Sequence, residues 1–175
     1  PPPHELAPWL AQVVWLRGRV VERVLQGSNL EDASTLLKRA REGAARRARF
    51  WAHAASAPTV PSSPRELARE RFSLTTGPTA GLTGELVLLT PLGVPGPSLL
   101  RVFVEGRMLE AVVVEPDLCP LSFDAAVAWP SGLRPRFDYD GVERDARLNQ
   151  TLHAVSMLAV GIADRAAARL TQLSG

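Results

Sequence analysis

The sequence predicts an α+β fold in which an N-terminal helical hairpin precedes a mostly antiparallel sheet covered by a long C-terminal helix. Two observations predict this order. Apolar residues recur at three- and four-residue steps near both ends of the chain, as in amphipathic helices. Between these regions they fall in short segments bounded by Gly and Pro, as in strands. We therefore divide the chain into a helical hairpin at 1–57, a linker with a short helix at 58–71, and a sheet domain with the C-terminal helix at 72–175.

The hairpin begins with a helix predicted over residues 4–26, which Gly27 is placed to end. Ser28 and Glu31 then match a capping box, in which each side chain accepts a hydrogen bond from the other residue's amide. A second helix should follow from about residue 30 to 55. Its predicted apolar side consists of Leu30, Ala33, Leu37, Ala40, Ala44, Ala48 and Trp51.

The linker covers residues 56–63, which are mostly Ser, Pro and Ala. Ser63 and Pro64 resemble a helix start, because Pro lacks an N–H that the first turn of a helix leaves unbonded in any case. We therefore expect a short helix at 64–70.

The sheet domain has segments typical of strands, and a tight turn joins two of them. Glu105 and Gly106 lie between two such segments and suit a two-residue hairpin turn. Arg101 and Phe103 alternate with valines, which predicts a sheet with one solvated face. A further strand is expected at 133–139. The other predicted strands cover residues 72–76, 84–90, 99–105, 107–115 and 121–129.

The C-terminal helix has the most regular pattern of the chain. Asp140 and Glu143 form a candidate cap at its start. Helical spacing then continues nearly to the end of the sequence, which predicts one long helix against the sheet. The apolar positions that define this spacing are Leu148, Leu152, Val155, Ala159, Ile162, Ala166 and Leu173.

Composition excludes several classes of protein. The single cysteine, Cys119, cannot form a disulfide within the chain and makes a cysteine-based zinc site untenable. No apolar run approaches the ~20 residues that span a bilayer, so we expect no membrane association and a cytoplasmic, reducing compartment. The net charge of +2 is divided unevenly, with residues 1–71 carrying +5 and residues 72–175 carrying −3. The sequence starts at Pro1 rather than Met, so we expect it to be part of a longer polypeptide.

Catalytic motifs are missing from the sequence. It has no phosphate-binding Gly-x-x-x-x-Gly-Lys loop, no Gly-x-Gly-x-x-Gly, no Gly-x-Ser-x-Gly and no His-Glu-x-x-His. The three histidines, His4, His53 and His153, fall in separate predicted elements, so we expect no shared metal site. We therefore expect no catalytic site within this chain and no cofactor, although the parent protein can still be an enzyme.

One basic run lies on the second predicted helix and ends in Phe50 and Trp51. It is typical of two arrangements: a phosphate-binding helix with an aromatic neighbour, or the solvated side of an Arg-rich helix. Glu42 dilutes its charge, and no nucleic-acid-binding motif surrounds it, which favours the solvated side. The candidate nucleic-acid contacts are Arg39, Arg41, Arg46, Arg47 and Arg49.

A carboxylate cluster precedes the last helix. Such a group can perform acid–base chemistry or bind a divalent cation, but it is also favoured at a helix N-terminus by the dipole. The spacing lacks the Gly and distal Glu of a calcium loop, so we predict capping for its members, Asp138, Asp140, Glu143 and Asp145.

Two segments resemble the transducer (middle) domain of the GHKL ATPases. Arg101–Arg107 (Arg-Val-Phe-Val-Glu-Gly-Arg) resembles the strand–turn F-V-N-G-R segment of MutL-type mismatch-repair ATPases. Residues 138–148, followed by a long helix, resemble the N-V-S-R-E-x-L junction of ninety-kilodalton heat-shock chaperones. The resemblance implies a domain that docks on a separate nucleotide-binding domain and supplies a basic residue to the ATP phosphate. Aligning Val142–Asp145 on the junction motif puts Arg144 at that position.

Three hypotheses of function follow. The first is a non-catalytic, transducer-like module of a chaperone-type ATPase, whose partner is an adjacent ATPase domain or another protein. The second is a stand-alone scaffold that forms a homodimer through its helices. The third, which we expect least, is nucleic-acid binding through the Arg39–Arg49 segment, and it would weaken steeply with salt.

Overall fold

The computed structural model describes residues 33–90 and 97–173, which form an α+β structure. Five strands make one sheet, and a helix stands at each end of the described chain, so the predicted fold class is confirmed. The elements in order are α1 (Ala33–Ala52), β1 (Glu66–Ser73), β2 (Thr83–Leu89), β3 (Ser98–Val104), β4 (Arg107–Val114), β5 (Phe123–Ala128) and α2 (Ala146–Leu173). The helix predicted over 4–26 and its capping box lie outside the described residues.

The sheet is mixed rather than uniformly antiparallel. Its strand order is β1-β2-β5-β3-β4, and β5 runs parallel to β3 while the other three pairings are antiparallel. Val114 at the end of β4 pairs with Ser98 at the start of β3, so the chain leaves β4 beside the beginning of β3. The connection over 115–122 then crosses the start of β3 to the side opposite β4. Strand β5 pairs with β3 on that side and runs parallel to it.

The β3–β4 hairpin has the tight turn that the sequence predicts. Glu105 and Gly106 have positive φ angles of 48° and 74°, as a type I′ turn requires at both central positions. A β-bulge interrupts the register, since Val102 pairs with Glu110 and Phe103 pairs with Met108. The extra residue, Leu109, puts Glu110 on the same face of the sheet as Val102.

The short helix expected at 64–70 is wrong, because this segment leads into strand β1. The Ser63 hydroxyl accepts a hydrogen bond from the Arg65 amide (3.2 Å), and the Ser63 carbonyl accepts one from Glu66 (3.1 Å). The Ser-Pro start signal therefore forms one turn that does not continue. Pairing with β2 supplies backbone partners from Glu66 onward, and this long-range ladder overrides a local signal worth only about 1 kcal/mol.

The strand expected at 133–139 is also absent. The segment makes one isolated bridge, between Pro135 and Val142, and the Arg136 amide donates to the Gly141 carbonyl (2.8 Å). Proline lacks the N–H that a continuous ladder needs, so the chain doubles back on itself.

The main core lies between the sheet and α2. Phe123, Leu86 and Leu100 are fully buried on this face, opposite Val155 and Ile162 of the helix. Burying each large apolar side chain contributes roughly 1.5–3 kcal/mol, so this layer holds α2 on the sheet. The expectation that the long helix covers the sheet is met.

The second face of the sheet is partly covered by residues 53–63, here called the strap. Val60 is buried against Val87, Phe103 and Ala126. The Ser56 amide donates to the Gly106 carbonyl (2.6 Å), which fixes the strap at the β3–β4 turn. The sheet face that the sequence predicts to be solvated is therefore exposed to solvent only where the strap does not cover it.

Helix α1 presents a different side to the protein than its apolar pattern predicts. Gly43 and Phe50 are buried, whereas Ala44, Ala48 and Trp51 are exposed. Gly43 lets the helix backbone approach Asp138 closely.

Candidate functional site

The candidate site is the connection between the sheet and α2, here called the junction loop (residues 134–145). Its two halves run side by side, since the Glu143 amide donates to the Arg134 carbonyl (2.9 Å) and Pro135 bridges Val142. Tyr139 at the tip has a positive φ of 57°, a left-handed conformation that reverses the chain. Arg144, singled out by sequence, lies where this loop leads into α2.

Glu110 of β4 anchors the loop through both carboxylate oxygens. Oε2 accepts a hydrogen bond from the Val142 amide (2.9 Å), and Oε1 accepts one from the Arg144 guanidinium. A Cβ at Gly141 would lie 2.6 Å from Glu110 Oε2, so glycine lets the loop approach the carboxylate. The Arg144 side chain stays 44% exposed, and its charge is therefore held in place yet reachable from solvent.

Helix α1 contacts the loop from another direction. Arg46 Nη2 lies 2.8 Å from Asp138 Oδ2, and Arg46 Nε donates to the Asp138 carbonyl (3.1 Å). A Cβ on Gly43 would stand 3.2 Å from that of Asp138, so a larger side chain would push the helix away. Partial burial acts to raise the pKa of Asp138, but hydrogen bonding with Asp140 and the positive charge of Arg46 outweigh it, and the pKa lies below its ordinary value.

Aromatic residues complete the contact between α1 and the loop. The rings of Phe50 and Tyr139 are 5.1 Å apart, and those of Trp51 and Tyr139 are 6.3 Å apart. The Arg107 guanidinium lies 4.9 Å from the Trp51 ring centre, at the distance of a cation–π contact. Arg107 also donates to the His53 carbonyl (2.7 Å), so the end of α1 is fixed to the β3–β4 hairpin.

The members of the carboxylate cluster have different partners and do not act together. Asp145 Oδ1 accepts hydrogen bonds from the amides of Arg147 (3.0 Å) and Leu148 (3.1 Å), which makes it the N-cap of α2. Asp138 pairs with α1, and Asp140 pairs with Arg136 at 3.4 Å. Of the four carboxylates predicted to cap the helix, Asp145 thus holds the N-cap position, and Asp140 and Glu143, the narrower candidate cap, do not. Within residues 33–90 and 97–173, no group of His, Cys, Asp and Glu side chains is arranged to hold a metal ion.

The arginine run of α1 does not form one basic face. At about 100° per residue, Arg39, Arg46 and Arg49 fall within about 80° of the helix circumference, while Arg41 and Arg47 point to two other sides. Arg46 is taken up by Asp138, and Arg49 Nε donates to the Ala45 carbonyl of its own helix (3.4 Å). The other members of the run are Arg41 and Arg47.

The remaining candidate side chains lie in separate elements of the described structure. His53 ends α1, with Nδ1 2.7 Å from the Arg49 carbonyl, and His153 is exposed on α2. His4 lies outside the described residues. Cys119 is a free, buried thiol, as its apolar neighbours in sequence indicate.

Sequence reasoning missed Glu110, the residue that organises the loop. A signal for it exists: Glu110 is the one acidic residue within the otherwise apolar stretch Leu109–Val114. A carboxylate in a half-buried strand needs a partner, and that requirement points to a contact from elsewhere in the chain.

No model of a known protein family matches the chain, and no curated protein matches it. Of the helices in the two described ranges, none combines the length and apolar character that crossing a bilayer requires.

Proposed function

We propose that this chain is a non-catalytic module that docks against an ATPase domain and contributes Arg144 to the phosphates of bound ATP. The observation that carries the proposal is the position of Arg144, which is 44% exposed beside the N-terminus of a 28-residue helix and is held by Glu110. This is the position that the resemblance to GHKL transducer domains assigns to the phosphate-contacting residue.

The energetics of the ion pair favour an exchange of partner. A partly exposed Arg–Glu pair contributes at most about 1 kcal/mol, whereas a guanidinium binds phosphate through two parallel hydrogen bonds and is the stronger contact. When Arg144 turns toward a phosphate, Glu110 keeps the hydrogen bond from the Val142 amide. The carboxylate is then not left without a partner, so the cost of releasing Arg144 is small.

The contacts of the junction loop would allow a movement of Arg144 on docking to displace other parts of the module. It contacts β4 through Glu110, α1 through Asp138, and α2 through the Asp145 cap. A displacement of Arg144 therefore acts on three elements of the module. Because the chain lacks nucleotide-binding motifs, the ATP site itself belongs to the partner domain.

The test is ATP turnover by the full native polypeptide with and without Arg144→Ala. We expect turnover to fall by ten-fold or more, a loss of about 1.4 kcal/mol in transition-state stabilisation. Arg165→Ala is the matched control, since Arg165 is an exposed arginine paired with Glu70 at 2.6 Å, away from the junction loop. Absence of turnover, or an equal fall in both variants, would reject the proposal.

A second variant separates the charge of Arg144 from the geometry of the loop. Glu110→Gln keeps an acceptor for the Val142 amide but removes the negative charge that holds Arg144. If the ion pair restrains Arg144, this variant turns over ATP at least as fast as the native protein. A collapse of turnover to the level of Arg144→Ala would instead show that the loop geometry depends on the carboxylate.

Self-association is the second candidate function, and α2 favours it. Met157 and Val160 are 58% and 38% exposed on the side of α2 that faces away from the sheet. These two apolar side chains are neighbours on one side of a long helix, so they offer a contiguous contact for a second helix. Light scattering across a range of concentrations measures this directly, and a monomer mass throughout would reject it. Nucleic-acid binding has less support, because the arginines of α1 point to several sides of that helix.

A further inference from the structure

The outer side of α2 carries one regular stripe, here called the outer stripe. Its members are His153, Met157, Val160 and Asp164, and all four are exposed. Their spacing of four, three and four residues places them within about 60° of the helix circumference. The opposite side of α2, with Val155, Ala159 and Ile162, is buried against the sheet. Spacing of this kind is what one helix presents to another in a coiled-coil contact.

The outer stripe is self-complementary when it is reversed. The imidazole of His153, which can donate an N–H hydrogen bond, lies at one end. The Asp164 carboxylate, which can accept one, lies at the other end, and two apolar residues lie between them. A two-fold axis between Leu158 and Ala159 would exchange the ends of the stripe. Each apolar residue then faces an apolar residue of the second copy, and each imidazole faces a carboxylate. An isologous interface requires this self-complementarity.

We propose that two copies of this chain pair antiparallel through the outer stripes of their α2 helices. Met157 packs against the partner subunit's Val160, and His153 faces the partner subunit's Asp164. This proposal rests on the self-association put forward above and specifies its surface and orientation. It is independent of docking to an ATPase domain.

The polar ends of the outer stripe favour the antiparallel orientation. In a parallel pair in register, each residue of the outer stripe would meet its own copy, so Asp164 would face a second carboxylate, and two negative charges in contact are destabilising. In the antiparallel pair each carboxylate meets an imidazole. Within the described ranges neither side chain has another hydrogen-bond or ion-pair partner, whereas neighbouring Arg165 is already bound to Glu70.

Cross-linking at the ends of the outer stripe tests the orientation. In the full polypeptide with Cys119 replaced by Ser, the variants His153→Cys and Asp164→Cys are oxidised separately and as a mixture. Antiparallel pairing brings residue 153 opposite residue 164 of the other copy, and it separates the two copies of residue 153 by roughly 16 Å along the helix. A disulfide needs Cα atoms within about 7 Å, so we expect a cross-link only in the mixture.

A charge-reversal series tests the interface without cysteine chemistry. His153→Glu should weaken dimerisation about ten-fold, because the repulsive contact occurs twice in the symmetric pair. Adding Asp164→Arg to the same chain restores an opposite-charge pair and should return dimerisation to near its native strength. Both positions are exposed, so circular dichroism should show an unchanged fold.

Self-association and the antiparallel orientation of the pair can be rejected separately. A monomer at every concentration overturns self-association together with this pairing. A dimer that cross-links within either single variant, or that ignores the charge reversal, overturns the antiparallel pairing alone. ATP turnover and its dependence on Arg144 stay unaffected in each case.

Discussion

The Glu85 carboxylate shows how one buried charge fixes a whole segment. Its side chain is only 4% exposed, and Oε2 accepts hydrogen bonds from the Val60 amide (2.8 Å) and from Arg69 (2.6 Å). Arg71 approaches the other oxygen at 3.4 Å. A buried carboxylate is tolerated only when it is paired and hydrogen-bonded, so the strap and strand β1 are both fastened to β2 through this group.

Glu85→Ala should lower the free energy of unfolding by about 3 kcal/mol, because it leaves the buried Val60 amide without an acceptor and removes one of the two carboxylates that bind Arg69. Urea denaturation measures the loss. Glu66→Ala is the matched control: Glu66 also binds Arg69 (2.7 Å) but is more exposed, so solvent screens the pair and we expect a much smaller loss of stability than in Glu85→Ala. Equal losses in the two variants would contradict the role assigned to burial.

At the scale of elements, helix α2 begins where a side chain can close its first turn. The first amides of a helix have no acceptor within it, and Asp145 supplies one through Oδ1. The negative charge also interacts favourably with the helix dipole. Capping at Asp145 fixes the direction in which the chain leaves the junction loop, and Arg144 directly precedes it.

Asp145→Ala should therefore destabilise the protein by about 1 kcal/mol, the usual cost of losing an N-cap. Asp145→Asn keeps an acceptor oxygen and should retain most of the stability. Thermal or chemical unfolding distinguishes the two variants. If the alanine variant were as stable as the asparagine variant, the cap would not be what starts this helix.

At the scale of the whole molecule, the ion pair between Arg46 and Asp138 joins segments that are 92 residues apart in the chain. It connects the first described helix to the loop that leads into the last one. The aromatic contact of Phe50 with Tyr139 lies beside it. Because the side chains of the pair are about one-third exposed, solvent screens their attraction, and the pair positions α1 more than it stabilises the fold.

The lowered pKa of Asp138 makes this contact dependent on pH. The ionised carboxylate is favoured in the folded state, so its contribution to stability is present above the ordinary pKa of 3.8 and is lost as the pH falls through the lower folded-state value. We expect Asp138→Asn to reduce this acid-dependent loss of stability, measured by urea denaturation between pH 5 and 2. Asp117→Asn, at an exposed position after β4, serves as the control. An unchanged pH profile in Asp138→Asn would contradict the assignment.

The sequence by itself determined the elements whose signals are local. The β3–β4 turn follows from Glu105 and Gly106 because glycine readily adopts a positive φ. Helix α2 follows from its apolar spacing, which matches the side that it buries. The position of Arg144 just before this helix was likewise readable, since it needs only the order of residues along the chain.

The tertiary structure alone decided the features that depend on residues distant in sequence. Strand β1 replaced an expected helix because pairing with β2 supplied its backbone hydrogen bonds. Strand β5 pairs with β3 in parallel because β4 ends beside the start of β3, and the chain then returns along β3 in the same direction. The sequence indicates that Glu110 needs a partner but not that the partner is Arg144, because the bulge that turns Glu110 toward the junction loop is a property of the paired strands. Local signals contribute about 1 kcal/mol each, whereas strand pairing and core burial contribute several, so the long-range interactions prevailed wherever the two disagreed.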